Sequence, residues 1–402
     1  MSDAAVSGSV NGAEKKDGPS TGSGRTESVG AVAVMESGAL KAALGSVIAA
    51  VERRNTIPIL SNVALAFGAM QKLEVTATNL DMEVRRSVPA KVSGESWSTT
   101  VCAHTLKGVA DKMAAGSEVT LTLKDGRLAV VSGRARFSLP VLPIDDFPIM
   151  AGVTGTGGPL AQFDMAGAEL LAMISAVEHA VSTEDTRYYL NGIYVERAEA
   201  ELLFVSTDGH RLACAVRAAP DGSEVLPELG GVIIPRACLG VVKALCAEAR
   251  VDVAISSNRI SIEAGEVVMT SKLIDGQFPD WRRVVPGSND KIVEVDPKLL
   301  AEAVGRVSVV ASDKTRAVKL AVDADRITLT VTSPENGTAS EEISASYAGA
   351  PVEVGFNGTY LSAVLGRFSG DAVSMALHDA AAPALLTSGA AKDKHVLMPM
   401  RV

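Results

Sequence analysis

Three stretches decide how this chain is read: AVAVMESGALKAALGSVIAAV at 31–51, AQFDMAGAELLAMISAVEHAV at 161–181 and KIVEVDPKLLAEAVGRVSVVA at 291–311. Each opens as a short alternating strand and continues as an amphipathic helix, with apolar residues three and four apart. Leu40, Leu170 and Leu299 take matching places, which sets a period of about 130 residues. The strands that follow also match. LEVTATNLDMEV (73–84), LLFVSTDGHRLACAV (202–216) and ITLTVTSPENGTASEEI (327–343) alternate apolar and polar residues, as half-buried antiparallel strands do.

Halfway through each period the strand–helix theme returns, in WSTTVCAHTLKGVADKM (97–113), GGVIIPRACLGVVKAL (230–245) and APVEVGFNGTYLSAVLGRF (350–368). More alternating strands follow each copy, at 119–139, 251–273 and 373–389. The pattern predicts six strand–helix–strand–strand–strand units paired into three domains, an α+β chain. Segments rich in Pro and Gly, LPIDDFPIMAGVTGTGGPL (142–160) and LIDGQFPDWRRVVPGSNDK (273–291), divide them. The expected domains are 31–151, 160–284 and 290–402. Residues 1–30, rich in Gly and Ser with little to bury, read as a disordered tail.

Composition narrows the chemistry. The 402 residues carry 38 Lys or Arg against 47 Asp or Glu, a net charge of −9, which argues against a simple DNA-coating protein. Aromatics at 4% speak against stacking on single-stranded bases. Cys102, Cys214, Cys238 and Cys246 form no C-x-x-C pair and the five His are scattered, so no metal site and no disulfide framework is signalled. No apolar run approaches the ~20 residues of a membrane span and no signal peptide is evident, so a soluble intracellular protein is expected. The Gly152–Gly158 segment lacks the strand–loop–helix setting and the Lys-Ser/Thr of a phosphate loop and reads as a linker. In STDGHRLA, Asp208, His210 and Arg211 could supply a base and its partners. Asp-Gly is equally a hairpin signal, since Gly209 can take positive φ and Asp can bond its own turn. His210 and Arg211 would then shape a recognition surface instead.

RRNTIPILSNVAL (53–65), TNLDMEV (78–84), RARFSLPVLPIDDFP (134–148), RYYLNGIYVE (187–196), STDGHRLA (206–213), SKLIDGQFPDWRRVVP (271–286), VGFNGTYL (354–361) and HVLMPMRV (395–402) occur in the order seen in one family. Through them the chain resembles the bacterial DNA polymerase III beta subunits, the sliding clamps, over roughly residues 31–402. The resemblance implies three repeated clamp domains, each of two helices and antiparallel sheets. Two such crescents would close head to tail into a ring around duplex DNA. It implies no catalysis and no cofactor or metal. The function implied is a tether for the replicative polymerase, in a cytoplasmic protein that is nucleoid-associated during replication.

In that fold the helices line the hole. The six helical windows (36–54, 104–114, 166–181, 235–250, 297–311, 357–368) hold eleven Lys or Arg and seven Asp or Glu, a balance of +4 that leaves −13 for the rest. An acidic shell with a basic lining repels DNA outside and tolerates it inside. Lys41, Arg53, Arg54, Lys107, Lys112, Arg236, Lys243, Lys298, Arg306 and Arg367 are the candidates, though each alone also reads as an ordinary solvated helix charge. The resemblance adds Arg134, Arg136 and Tyr189 as DNA-facing residues. Glu184 stands where a neutral polar residue is expected.

The resemblance also implies a groove between the second and third domains for a Gln-Leu-x-Leu-Phe-type peptide. The replicative polymerase catalytic subunit, other polymerases, the clamp loader and mismatch-repair proteins would carry it. Carried onto this sequence, the groove comprises Arg187, Leu190, Thr207, Gly209, His210, Arg211, Leu212, Pro279, Val284, Asn357, Tyr360, Val396, Met398, Pro399, Met400 and Arg401. Apolar and Met side chains make an adaptable socket, with Arg and His at its rim. Ring closure by a two-fold dimer would bring Arg136 and Phe137 of the first domain against Val309 and Val310 of the third. Two other readings remain open on the residues alone: an enzyme using Asp208 and His210, and a repeat-built scaffold that never encircles DNA.

Overall fold

The computed structural model describes residues 32–402 apart from 53–55, 68–70, 154–159, 313–315 and 390–391. The expected tail, Arg53, Arg54 and most of the Gly152–Gly158 linker therefore lie outside the described residues.

Six strand–helix–strand–strand–strand units follow one another along the chain. The first is β1 (Val32–Glu36), α1 (Ser37–Val47), β2 (Asn62–Phe67), β3 (Lys72–Thr78) and β4 (Met82–Pro89). A short β5 (Lys91–Ser93) precedes the second: β6 (Trp97–Cys102), α2 (Ala103–Asp111), β7 (Glu118–Lys124), β8 (Arg127–Ser132) and β9 (Ala135–Leu142). The third comprises β10 (Ala161–Ala166), α3 (Gly167–Val177), β11 (Gly192–Ala198), β12 (Glu201–Thr207) and β13 (Arg211–Ala218). The fourth is β14 (Val232–Pro235), α4 (Leu239–Leu245), β15 (Arg250–Ile255), β16 (Arg259–Ala264) and β17 (Val267–Lys272). In the fifth, β18 (Lys291–Val295) and α5 (Pro297–Val307) lead into β19 (Ala317–Asp323), β20 (Arg326–Ser333) and β21 (Gly337–Ser344). The sixth closes the chain with β22 (Val352–Asn357), α6 (Gly358–Leu365), β23 (Val373–Leu377), β24 (Ala384–Thr387) and β25 (Lys394–Leu397).

The helices that open each domain bury one stripe each. In α1 it is Leu40, Ala43, Leu44 and Val47, in α3 Leu170, Met173, Ile174 and Val177, and in α5 Leu300, Ala303, Val304 and Val307. The spacing i, i+3, i+4, i+7 is one face of a 3.6-residue helix. The residue of α5 that matches Leu40 and Leu170 is thus Leu300, and the expected Leu299 is only half buried. The three helices start at equivalent points of the repeat, at Ser37, Gly167 and Pro297. Leu300 and not Leu299 therefore follows Leu170 at the interval that separates Leu170 from Leu40. Asp296 accepts hydrogen bonds from the Lys298 and Leu299 amides, and Pro297 occupies the first helical position. Leu300 is the fourth helical residue and faces the core, as Leu40 and Leu170 do in α1 and α3.

The sheets run across domain boundaries. A thirteen-stranded sheet joins the first two domains because β4 pairs antiparallel with β17, from Val267↔Arg86 to Ser271↔Met82. An eight-stranded sheet joins the second and third because β13 pairs with β25, from Arg211↔Leu397 to Cys214↔Lys394. Both junctions obey one rule: the last strand of a domain's first unit pairs with the last strand of the next domain's second unit. The third sheet, β21-β20-β19-β22, stays within the third domain.

Candidate functional site

The β13–β25 ladder brings the turn before β13 beside the chain's last residues. Asp208 builds that turn. Its Oδ1 accepts from the His210 and Arg211 amides at 2.9 and 3.0 Å, and its Oδ2 accepts from Arg211 Nε at 3.0 Å. Thr207 Oγ1 donates to Arg211 O at 2.7 Å and accepts from the Gly209 amide at 3.1 Å. The carboxylate is committed to its own turn, which is the hairpin reading rather than the base. Gly209 sits at φ +88°, a conformation that favours glycine, and a Cβ there would stand 2.6 Å from Arg187 Nη1, so a side chain would displace the Arg187 guanidinium.

Around this turn the groove residues assemble. The Arg211 guanidinium lies 4.4 Å from the centre of the Tyr360 ring, a cation–π contact, and the His210 ring lies 6.0 Å from it. Arg187 Nη2 donates to Asp208 O at 2.9 Å, and Arg187 Nε donates to Glu184 Oε2 at 2.9 Å. The unexpected Glu184 is therefore the residue that orients Arg187. The Arg187 hydrogen bond holds the Glu184 carboxyl below the usual carboxylate range. The Met398 amide donates to His210 O at 2.9 Å and the Met400 amide to Gly355 O at 2.8 Å, laying the tail along the third domain. Gly355 makes that crossing possible, because a Cβ there would meet Met400 O at 2.5 Å.

Burial sorts the predicted residues into two sets. Leu190, Leu212 and Val396 are buried, in one cluster with Phe278 and Trp281. His210, Pro279, Val284, Met398 and Arg401 are exposed, and Arg187, Thr207, Arg211, Tyr360, Pro399 and Met400 half-buried. Asn357 serves the groove indirectly. Its side chain caps α6, accepting from the Thr359 and Tyr360 amides, and so fixes Tyr360. Asp208, Glu184, Gly355 and the Phe278–Trp281 pair, which are not among the groove residues expected from sequence, pack or bond directly with residues that are. The Asp-Gly turn and the Phe-Pro-Asp-Trp string were the available signals.

The helix cations are less free than their sum implies. Lys41 and Lys107 both face Asp111, at 3.8 and 2.7 Å, and the Lys107 hydrogen bond lowers the Asp111 pKa. Lys243 pairs with Glu178 at 2.7 Å, Arg306 pairs with Glu341 at 2.6 Å, and Arg367 lies 4.0 Å from Glu178. Among the described residues Lys112, Arg236 and Lys298 make no side-chain ion pair, and neither do Arg134 and Arg136. Tyr189 is half-buried against the cluster that holds Leu190, Leu212 and Val396, its Cβ 2.9 Å from where a Cβ on Gly276 would lie, and the exposed ring is Tyr188 at 54%.

Two of the strand edges left without a full partner among the described residues belong to β9 and β21. β9 pairs with β8 along Ala135–Pro140 and meets β6 only at Val141 and Leu142, and β21 pairs with β20 alone. Arg136 and Phe137 are exposed on β9, and Val309 beside β21 is 81% exposed. Val310 is half-buried against the third domain's core.

Among the described residues no cluster of His, Cys, Asp and Glu is placed to hold a metal ion, and no helix is long and apolar enough to cross a membrane.

Three family models match in sequence: the N-terminal domain of the DNA polymerase III beta subunit at residues 34–151, its central domain at 164–280 and its C-terminal domain at 282–401. The beta sliding clamp of Caulobacter vibrioides is 43% identical over 377 residues, spanning 92% of this chain and 99% of that protein. The Escherichia coli K12 beta sliding clamp is 34% identical over 354 residues, spanning 87% and 94%. Among solved structures, a Caulobacter crescentus beta sliding clamp superposes with a TM-score of 0.87 at 42% identity, covering 93% of this chain and all of that one.

Proposed function

Because the chain belongs to the DNA polymerase III beta subunit family, the bacterial sliding clamps, we propose that two copies close head to tail around duplex DNA and tether the replicative polymerase to it. One observation carries the closure. The pairing rule met by β4–β17 and β13–β25 leaves β21 and β9 as the remaining members of the series, and both have an open edge. An open edge presents unpaired backbone N–H and C=O groups to another strand. The β21 of one copy would pair with the β9 of the next, with Phe137 near Val309. Charge favours the same pairing, since β9 carries Arg136 and β21 carries Glu342, whose contact with Arg326 is a long 3.9 Å.

The ring needs little affinity for DNA. A sliding lining must follow phosphates without bonding base edges, and topology then provides retention. The unpaired Lys112, Arg236 and Lys298 are the helix cations best placed for that contact among the described residues. The loop carrying Arg134 and Arg136 is a second candidate. The exposed Tyr188 replaces Tyr189 as the aromatic residue we assign to the DNA side.

The groove between the second and third domains is the docking site for partner peptides of the Gln-Leu-x-Leu-Phe type, on polymerases, the clamp loader and mismatch-repair proteins. Its buried apolar floor, adaptable Met398 and Met400 and oriented Arg211–Tyr360 pair suit an apolar peptide that must be held in one direction. A fluorescent peptide of this type should bind saturably to the intact protein and lose binding in a folded variant lacking residues 398–402. Equal binding by both proteins would remove the groove from this reading.

A further inference from the structure

We propose that a partner peptide bound in this groove continues over the Trp281–Val285 ridge and places one more apolar side chain, with a carboxylate beside it, in a second subsite next to Lys394. The proposal rests on the peptide-binding reading above. Beyond the ridge lies a cavity of about 750 Å³, with Leu203, Cys214, Val216, Trp281, Val285 and Leu385 among its lining residues.

Strand geometry makes the cavity a continuation of the groove. Side chains two apart on a strand share a face and are about 7 Å apart along it. On β13, Leu212 under the groove is followed on the same face by Cys214 and Val216 in the cavity. On β25, Val396 is matched by Lys394, and the two strands pair at Leu212↔Val396 and Cys214↔Lys394. Groove and cavity floors belong to one apolar cluster that holds Leu190, Leu212 and Val396 together with Leu203, Cys214, Val216 and Trp281.

The ridge that separates them is fixed. Trp281 Nε1 and Arg282 Nη2 donate to Glu196 Oε1 at 3.3 and 2.6 Å, and the Arg282 guanidinium stacks 4.5 Å from the Trp281 ring centre. Val284 is exposed on this ridge, whereas Val285 lines the cavity. The second subsite is therefore formed before any ligand arrives, which spares the cost of ordering it.

The rim sets the chemistry of the occupant. Lys392 is held by Glu201, and Arg217 by Asp393 at 2.7 Å. Lys394 is exposed and makes no ion pair among the described residues. Glu199, the unpaired carboxylate of the lining among the described residues, lies in the β11–β12 turn away from β25. The uncommitted Lys394 on β25 therefore sets the charge at its own end, where a Leu or Phe side chain next to an Asp or Glu fits. Cys214 acts as wall rather than nucleophile, because burial pushes its thiol up to about 12. From Leu212 to Val216 is two such strand steps, so about four extended peptide residues span the distance.

The test compares three fluorescent peptides by anisotropy: the Gln-Leu-x-Leu-Phe pentapeptide, the same extended by four Gly and Ser residues at either end, and the same extended by four residues carrying Leu-Asp. The Leu-Asp extension at one end should tighten binding about tenfold over the Gly-Ser control. That gain should disappear in Leu385→Lys, measured against the same variant's own pentapeptide binding, and shrink in the surface variant Lys394→Glu, which binds the bare pentapeptide as the unmodified protein does. A pentapeptide that binds with no gain from either extension, or a gain that survives Lys394→Glu and Leu385→Lys alike, overturns the second subsite alone. Failure of the pentapeptide itself to bind overturns the groove reading and this one with it.

Discussion

Leu80 occupies in its turn the place that Gly209 occupies in the groove turn. Leu80 has φ +77° and Gly209 φ +88°. The surrounding bonds repeat one for one. Thr78 Oγ1 donates to Met82 O and accepts from the Leu80 amide, and Asn79 Oδ1 accepts from the Asp81 and Met82 amides. The Lys272 amide donates to Asp81 O at 2.9 Å, as Met398 does to His210 O at 2.9 Å. The two domain junctions are thus copies, yet they differ in chemistry. Buried Glu83 and Thr270 stand where Leu212 and Val396 form the groove floor, and Glu83 is already occupied by the Met150 amide. An apolar peptide therefore has a floor at only one of these two junctions.

A left-handed backbone costs a residue with a Cβ roughly 1–2 kcal/mol. Leu80 is 41% exposed, so it recovers little of that by packing. Leu80→Gly is expected to stabilise the protein by about 1 kcal/mol, raising the urea midpoint at unchanged slope. A lower midpoint would mean that the exposed Leu80 side chain contributes packing that outweighs its strain.

Val309 is 81% exposed beside the open β21 edge. Val309→Glu should convert the dimer, in light scattering, to a folded monomer whose Tm no longer rises with protein concentration. Phe137→Glu on β9 should do the same from the other side. A dimer that persists in both variants places the interface elsewhere.

Cations that are already paired contribute less to DNA binding than free ones. Removing Lys298 or Arg236 should reduce the slope of log K against log salt by about one for each phosphate left without its cation. Arg306→Gln, whose guanidinium is held by Glu341 at 2.6 Å, should change the slope less. The opposite ranking would show that the ion pairs open on DNA.

His179 and His395 meet between the second and third domains with ring centres 5.4 Å apart. Burial, reinforced by nearby cations, lowers His179 to about 2 and His395 to about 4. Arg367 faces both, Arg211 and the partner imidazole add to the pressure on His179, and Asp393 opposes it at His395. Unfolded, both would protonate near 6.5. The unfolded chain then binds more protons below that pH, so their contribution is complete above about pH 6.5 and is lost as pH falls toward 4 and beyond. Denaturation midpoints between pH 7 and 4.5 should fall more steeply in the unmodified protein than in His395→Phe. Equal slopes would exclude the pair as the acid-sensitive element.

What the sequence alone determined was the local order: six strand–helix units, a period of about 130 residues, and the turn at Asp208–Gly209. Those features depend on side-chain periodicity and turn chemistry within a few residues, so a linear reading captures them. The same reading placed Leu299 one residue out of phase, although the apolar run Leu300, Ala303, Val304 and Val307 keeps the helical spacing and the repeat interval at Leu300. Tertiary structure alone decided which strand edges meet across domains and which remain open. It also decided that Asp111, Glu178 and Glu341 neutralise much of the helix charge, and that Glu184 orients Arg187. Lys107–Asp111 and Glu184–Arg187 sit at the local spacings i,i+4 and i,i+3, and only their geometry needed the structure. The Glu178–Lys243 and Glu341–Arg306 pairs join groups far apart in the chain, which no short-range pattern records.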